Sequence, residues 1–336
     1  LSWFWNSRYE NLEVIGFEEI RKIAPTTSLI FSPCHRSHID YLALSYLLYY
    51  KDLMLPQIVA GKNLDLPIVG PFLRKGGAFF MRRSFGGNKL YSVIFNEHLR
   101  KLMQRGHSIE FFPEGGRSRS GKLMPPRPGI ISMILRSFLD MDEKKVSFIP
   151  ISMNYEKVLE GNSYLKEVMG ARKKKENLKD IFSVFRDFRN YLGEAYLQFG
   201  EPINLNDFLK AYPREDYDSE KDWLFEVTPK LGSKIMKNIN RATVVTSSAL
   251  FSTAMLNSDG FSVSRKELIK RIDLLRVILK EDIYSSKTII SEKTAEEIID
   301  QMKKLNFISK EDISDRISLS NKEAARLSFY RNNISH

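Results

Sequence analysis

The chain has 336 residues, 43% of them hydrophobic, enough for a sizeable core and too apolar for a disordered chain; the length favours one large domain with a smaller one. A formal net charge of +11 suggests a polyanionic partner and does not choose among nucleic acid, an anionic membrane surface and a phosphorylated substrate. The single cysteine, Cys34, excludes an internal disulfide and a cysteine-rich metal site; no zinc motif is present, and no metal or cofactor is expected.

Up to about Leu209, short β-rich runs alternate with amphipathic segments, the pattern of a layered α/β domain with a sheet flanked by helices. Leu29 to Ser32, Gln57 to Ala60, Ala78 to Met81, Ser108 to Phe112, Val146 to Met153 and Ala195 to Phe199 read as strands. Asp40 to Tyr50, Asn88 to Arg105 and Gly129 to Leu139 carry apolar residues at three- and four-residue spacing and read as helices. The polar stretch that starts at Pro213 reads as a linker, placed at residues 213–228 between a first domain at 1–212 and a helical region at 229–336. In that last region Ser264 and Glu267 form the pattern of a capping box, followed by an apolar stripe of Leu268, Ile272, Leu275 and Leu279; Thr294 to Leu305 and Asn321 to Asn332 are also helical in period.

No run reaches the roughly 18 apolar residues of a spanning helix, since Tyr41 to Tyr50 and Ile130 to Leu139 are too short. No signal peptide is recognisable, so the chain is expected to face the cytoplasm and, if it meets a membrane, to lie on it. A start at Leu1 and an end without a C-cap signal at His336 point to a piece of a longer protein.

Chemistry concentrates in motifs that follow strands. After Leu29 to Phe31 comes His35-Arg36-Ser37-His38-Ile39-Asp40, in which a histidine has the range to take a hydroxyl proton and a carboxylate five positions on can reach back to its other ring nitrogen. Taken alone the spacing is weak, and Asp40 as a mere helix cap with His35 as a loop residue is the better reading of it. Phe111 to Lys122 (FFPEGGRSRSGK) combines three glycines with Arg117, Arg119 and Lys122, a plausible anion cradle that lacks the order of a Walker A loop; a solvated basic loop is the competing reading. In Gly76 to Phe85, strand alternation sends Arg82 and Arg83 to opposite sides, so one of them faces a site at the strand end.

His35-x4-Asp40, Gly77-Ala78-Phe79-Phe80-Met81-Arg82-Arg83-Ser84, Phe112 to Arg119 and Ile149-Pro150-Ile151-Ser152 resemble, in order, the four blocks of the glycerolipid acyltransferases. The chain looks most like the bacterial membrane-bound glycerol-3-phosphate acyltransferases, a resemblance extended by Asn154 to Glu160, Phe199 to Pro202 and Tyr330 to His336. The resemblance implies a layered acyltransferase domain with a mixed central sheet, then a mainly helical region. It implies His35 as base and Asp40 as its orienter, with Arg83, Glu114, Gly115, Arg117 and Ser118 binding the phosphorylated acceptor and Pro150 shaping the acyl-donor side. It further implies glycerol 3-phosphate as acceptor, acyl-CoA or acyl-carrier protein as donor, and work on the cytoplasmic face of a bacterial inner membrane. Met81 and Ile149 stand where isoleucine and valine are common. The dihydroxyacetone-phosphate acyltransferases share these blocks and fit Phe80 to Arg83 and Ile151-Ser152 as well.

Other readings compete. A covalent acyl-Cys34 intermediate is disfavoured because neighbours on a strand-to-turn path point apart. His38 is expected to meet backbone or solvent, and His98 and His107 receive no role. Arg172 to Lys175 reads as a contact for lipid headgroups, with an acidic carrier protein or plain solvated surface as alternatives, and Trp3-Phe4-Trp5 as an interfacial or packed cluster. A nucleic-acid-binding module answers the basic charge but lacks a recognition-helix pattern, so no nucleic acid is expected; a thioesterase would use the His-Asp pair on water.

Overall fold

In the computed structural model the described residues are 5, 8–67, 69–82, 87–141, 145–161, 164–165, 191–281, 285–308 and 315–334. Arg83, Arg172 to Lys175, Trp3 and Phe4 lie outside them. Two of the bare expectations above therefore end here: the contact of the basic run and the setting of the first two aromatic residues.

The first region is built from β1 (Asn11–Ile15), α1 (Phe17–Ile23), β2 (Ser28–Pro33), α2 (Asp40–Tyr50), β3 (Gln57–Gly61), α3 (Val69–Lys75), β4 (Ala78–Met81), α4 (Lys89–Gln104), β5 (Ile109–Glu110), α5 (Pro128–Leu139), β6 (Val146–Tyr155), β7 (Glu194–Phe199) and β8 (Ile203–Asn204). The strands form one mixed sheet in the order β1-β7-β6-β2-β5-β3-β4, with β8 beside β6. From β6 to β4 all neighbours are parallel, whereas β7 and β8 run antiparallel to β6. Every residue of β2 and of β6 is buried, as expected of central strands covered on both faces, which is why they read as continuous apolar runs. The fourth expected strand is shorter than its pattern. Only Ile109 and Glu110 pair on both sides, because Phe112 and Pro113 already turn into the glycine loop.

Pro150 sits in the middle of β6, where proline is unusual, opposite Ser32 of β2. The side of β6 that its missing N–H would serve falls between the β8 and β7 pairings, and there Gly200 N–H donates to the Pro150 carbonyl. No ladder bond is lost.

After β8 come α6 (Leu205–Leu209), α7 (Glu220–Arg241), β9 (Val244–Val245), α8 (Ser247–Leu256), β10 (Ser262–Ser264), α9 (Arg265–Glu281), β11 (Ile289–Ile290), α10 (Ala295–Lys304), β12 (Arg316–Ser318) and α11 (Asn321–Asn332). The expected linker at 213–228 differs from what forms. Ser219 caps α7 by accepting from Asp222 N–H, and Trp223, Leu224, Val227, Leu231 and Ile235 are a helical stripe buried against α5 and β6. Its first turn, Glu220-Lys221-Asp222, is polar because it faces water, and that polarity imitates a linker. The region is mainly helical, with two small two-stranded sheets that its sequence pattern does not announce. Ser264 makes half of its box, accepting from Glu267 N–H, while the Glu267 carboxylate turns to Arg271; complete boxes stand at Thr294/Glu297 and Ser320/Glu323.

Among the ties between the helical region and the sheet, two lie close to the strand ends and the loops that follow them. Glu156, one residue past β6, accepts from Ser247 N–H at 3.0 Å, Ser248 N–H at 2.8 Å and Ser248 Oγ at 2.6 Å, filling the start of α8. Burial raises its pKa, and these donors pull it back. The last helix, α11, reaches the loop after β5: Asn332 Nδ2 donates to Ser120 O at 2.8 Å, and Val158 N–H donates to Tyr330 Oη. Gly121, at φ +86°, lies against the Phe329 carbonyl with no room for a Cβ.

Candidate active site

The sequence motifs converge because their strands are parallel neighbours. His35 follows β2, Glu114 follows β5 and Arg82 follows β4, so all emerge at the carboxyl edge of the sheet, where open α/β sheets place their sites. Asp40 opens α2. Its carboxylate turns back from the helix, and Oδ2 accepts from His35 Nδ1 at 2.9 Å, Arg36 N–H at 2.6 Å and Ser37 N–H at 2.9 Å. Oδ1 accepts from Tyr155 O–H at 2.6 Å. Asp40 is fully buried and its charge is met by four donors, whereas the His35 ring is partly open and stacks on Phe112 with centroids 4.0 Å apart. With Nδ1–H directed at Asp40, the basic lone pair is on Nε2.

The glycine loop grips the backbone of His35 from both sides. Glu114 Oε1 accepts from His35 N–H at 2.8 Å and its Oε2 from Met124 N–H at 2.9 Å, while Ser118 N–H donates to His35 O at 2.8 Å. Ser118 Oγ donates to Lys122 O at 2.6 Å, closing the loop on itself. Gly115 has φ +66°, and a Cβ there would stand 2.7 Å from Arg127 Cγ. Glu114 and Ser118 are both buried, so in this structure their polar atoms serve the loop; burial raises the Glu114 pKa, and Arg36 and the two N–H donors lower it.

Arg117 is nearly buried as well. Its Nη1 donates to Tyr164 Oη at 2.8 Å and stands 3.7 Å from Glu160, and Tyr164 O–H donates in turn to Arg36 O. Glu160 accepts from Ser37 Oγ at 2.8 Å and from His38 N–H at 2.7 Å. Pro150 is inside the sheet beside Ser32, below the strand ends.

Tyr155, Glu160 and Tyr164 carry no role in the sequence reading although Tyr155 and Glu160 fall in a quoted segment. Polar side chains just after the most apolar strand were the available signal. A depression of about 290 Å³ at the ends of β3 and β4 is lined by Lys62, Arg74 and Arg82 together with Asp65, Phe80 and Tyr91, a cationic neighbourhood continuous with the second block. Arg74 pairs with Asp65 and lies over the Phe80 ring; Arg82 lies over Tyr91.

Cys34 bonds to the Met153 backbone of the neighbouring β6. It is fully buried, its Sγ accepts from Met153 N–H at 3.2 Å, and burial pushes its thiol up to about 11, which disfavours the thiolate that a covalent route needs. Glu110, the last residue of β5, is buried with no hydrogen-bond partner among the described residues for either carboxyl oxygen. Burial and the neighbouring Asp40 raise its pKa well above the usual carboxylate range. Among the described residues no cluster of three or more His, Cys, Asp or Glu could hold a metal ion.

Residues 11–154 match the family model described as Acyltransferase, and residues 164–336 match that described as Glycerol-3-phosphate acyltransferase C-terminal region. The glycerol-3-phosphate acyltransferase of Pseudomonas putida (strain GB-1) is 40% identical over 344 residues, covering 100% of this chain and 42% of that protein. The one of Shewanella pealeana is 41% identical over 347 residues, covering 100% and 43%. The chain thus spans less than half the length of these relatives. The solved structure of the 1-acyl-sn-glycerophosphate (LPA) acyltransferase PlsC from Thermotoga maritima aligns with a TM-score of 0.36 at 17% identity, over 70% of this chain and 74% of that one. On the two family models and the identity along its whole length, this chain belongs to the glycerol-3-phosphate acyltransferase family.

Proposed function

We propose that the chain is the catalytic part of an enzyme that moves a fatty acyl group from acyl-CoA or acyl-carrier protein to the sn-1 hydroxyl of glycerol 3-phosphate, giving lysophosphatidic acid at the start of phospholipid synthesis. The observation that carries this reading is the His35 Nδ1 to Asp40 Oδ2 contact at a strand end, in a chain of this family. Nε2 of His35 takes the acceptor's hydroxyl proton as the oxygen attacks the thioester carbon. Asp40 balances the imidazolium that forms. When the tetrahedral intermediate collapses, the C–S bond breaks and the leaving sulfur takes the proton from His35, which releases the free thiol and restores the base.

In this reading Arg83 and Arg117 bind the acceptor phosphate, for which a planar guanidinium is suited, and Glu114, Gly115 and Ser118 support them by fixing the loop. Pro150 contributes to the shape of the acyl-donor side. The net positive charge of the chain serves phosphorylated substrates and an anionic lipid surface. No helix among the described residues is long and apolar enough to cross a membrane; we place the enzyme on the cytoplasmic face of the inner membrane because the product must enter a bilayer.

The test is a competition between glycerol 3-phosphate and dihydroxyacetone phosphate with one acyl thioester and the full-length, membrane-reconstituted protein. A higher kcat/KM for glycerol 3-phosphate is expected, since a site built to accept from the secondary hydroxyl leaves a polar group unpaired against a ketone. A preference for the ketone would move the chain to the sister activity.

A further inference from the structure

Glu160 touches both halves of the site and has no role in the chemistry above. It lies five residues past the end of β6, and its carboxylate is buried at 5% exposure against an Arg117 side chain at 7%. On one side it holds the loop between His35 and Asp40, through Ser37 Oγ at 2.8 and 3.1 Å and His38 N–H at 2.7 Å. Those two residues matter to the base, because Ser37 N–H is one of the donors that fix Asp40 Oδ2. On the other side Arg117 Nη1 stands 3.7 Å away, over a Tyr164 whose hydroxyl is bonded both to Arg117 and to the Arg36 carbonyl. Glu160 and Tyr164 therefore bridge the base loop and the cation of the glycine loop.

We propose that Glu160 is a positioning residue that occupies Arg117 until the acceptor phosphate arrives and couples that arrival to the base loop, an inference that rests on the assignment of Arg117 to the acceptor phosphate. A carboxylate and a phosphate are competing partners for one guanidinium, and the phosphate, with more charge and more acceptor oxygens, is the stronger. Once Arg117 turns to the phosphate, the carboxylate of Glu160 keeps only its donors on the base loop. Left with fewer donors, it draws Ser37 and His38 closer, and through Ser37 it firms the hold on Asp40. Acceptor affinity is lowered by the competition, and the base is set best when the acceptor is present.

Glu160→Gln separates the two functions in the full-length, membrane-reconstituted enzyme, because the amide oxygen still accepts from Ser37 and His38 while the charge that holds Arg117 is gone. The expected result is a fall in acceptor KM of about fivefold or more, the lower end of ordinary coupling between sites, with donor KM unchanged. Arg117→Lys in the same background should cancel the gain. Ser37→Ala does the reverse: it removes the side-chain tie to the base loop, leaving the His38 N–H bond and the ion pair, so kcat should fall with acceptor KM unchanged. A merely structural Glu160 would change kcat or melting temperature and leave acceptor KM as it was or raise it, and that result overturns the inference. If Glu160→Gln does not fold, Ser37→Ala decides: unchanged kcat sinks the coupling. Arg117→Lys in the otherwise native enzyme tells the two failures apart. If it raises acceptor KM while Glu160→Gln does not lower it, this inference alone is lost; if it leaves acceptor KM unchanged, the acceptor assignment itself is wrong.

Discussion

Replacing Asp40 by asparagine tests how the base is oriented, and the structure sets the size of the effect. Three donors converge on Oδ2, namely His35 Nδ1, Arg36 N–H and Ser37 N–H, and a fourth, Tyr155 O–H, meets Oδ1. In Asp40→Asn the two backbone N–H groups pin the carbonyl oxygen at the Oδ2 position, which leaves the amide nitrogen facing Tyr155 Oη. A phenol oxygen accepts as readily as its O–H donates, so the hydroxyl turns and the side chain stays satisfied. His35 thus keeps its tautomer and loses only the charge behind it. A hydrogen bond to a charged group contributes about 1.5–3 kcal/mol, which corresponds to a fall in kcat of about 10- to 150-fold at about 1.36 kcal/mol per tenfold. Loss of the tautomer would cost about 10⁴-fold. The assay is kcat with a soluble acyl-CoA at saturating acceptor, beside a thermal melt expected within a few degrees of the native one. A fall of about 10⁴-fold would show that the oxygen is not pinned as the donors require, and a change under about threefold would show that the carboxylate charge is not used.

Further outcomes follow from the same geometry. His35→Ala should abolish turnover with the fold intact, because the ring stacks on Phe112 at the site edge and leaves the core untouched; retained turnover would remove the assigned base. Cys34→Ser should keep activity, measured as kcat and as the absence of a trapped acyl-enzyme by mass spectrometry. For Glu110 the folded-state pKa is raised, so between the ordinary value near 4.3 and the raised one the native state holds a proton that the unfolded chain has released. Native stability therefore falls as pH climbs through that window. Glu110→Gln removes this slope, and its melting temperature should gain on the native protein from pH 4 toward pH 8; parallel curves would refute the buried neutral acid. Gly121→Ala forces a Cβ into the Phe329 carbonyl at a positive φ and should destabilise by about 1–3 kcal/mol, read as a lower melting temperature together with looser hydrogen-exchange protection of α11.

Much of this was written in periodicity. The apolar runs of β2 and β6 read as strands and are strands, and Asp40 to Tyr50, Lys89 to Gln104 and Pro128 to Leu139 are helices where their three- and four-residue spacing places them. The order of the blocks, two after strands and two overlapping them, was equally visible, and with it the pairing of His35 and Asp40 as a candidate. Local pattern misjudged α7, whose exposed first turn has the composition of a linker while its buried stripe begins only at Trp223. What no spacing could decide is which motifs meet. His35 and Glu114 are 79 residues apart in sequence, and their contact exists because β2 and β5 are parallel neighbours. Tyr155 and Asp40 are separated by 115 residues, and they meet because β6 flanks β2 on its other side. A sequence displays the polar residues that a site has at its disposal; whether Glu114 grips a backbone or faces a ligand, and whether Arg117 stands against Glu160, depends on which side chains the sheet order makes neighbours, and hydrogen bonds at 2.6–2.9 Å form only where tertiary packing has brought their partners together.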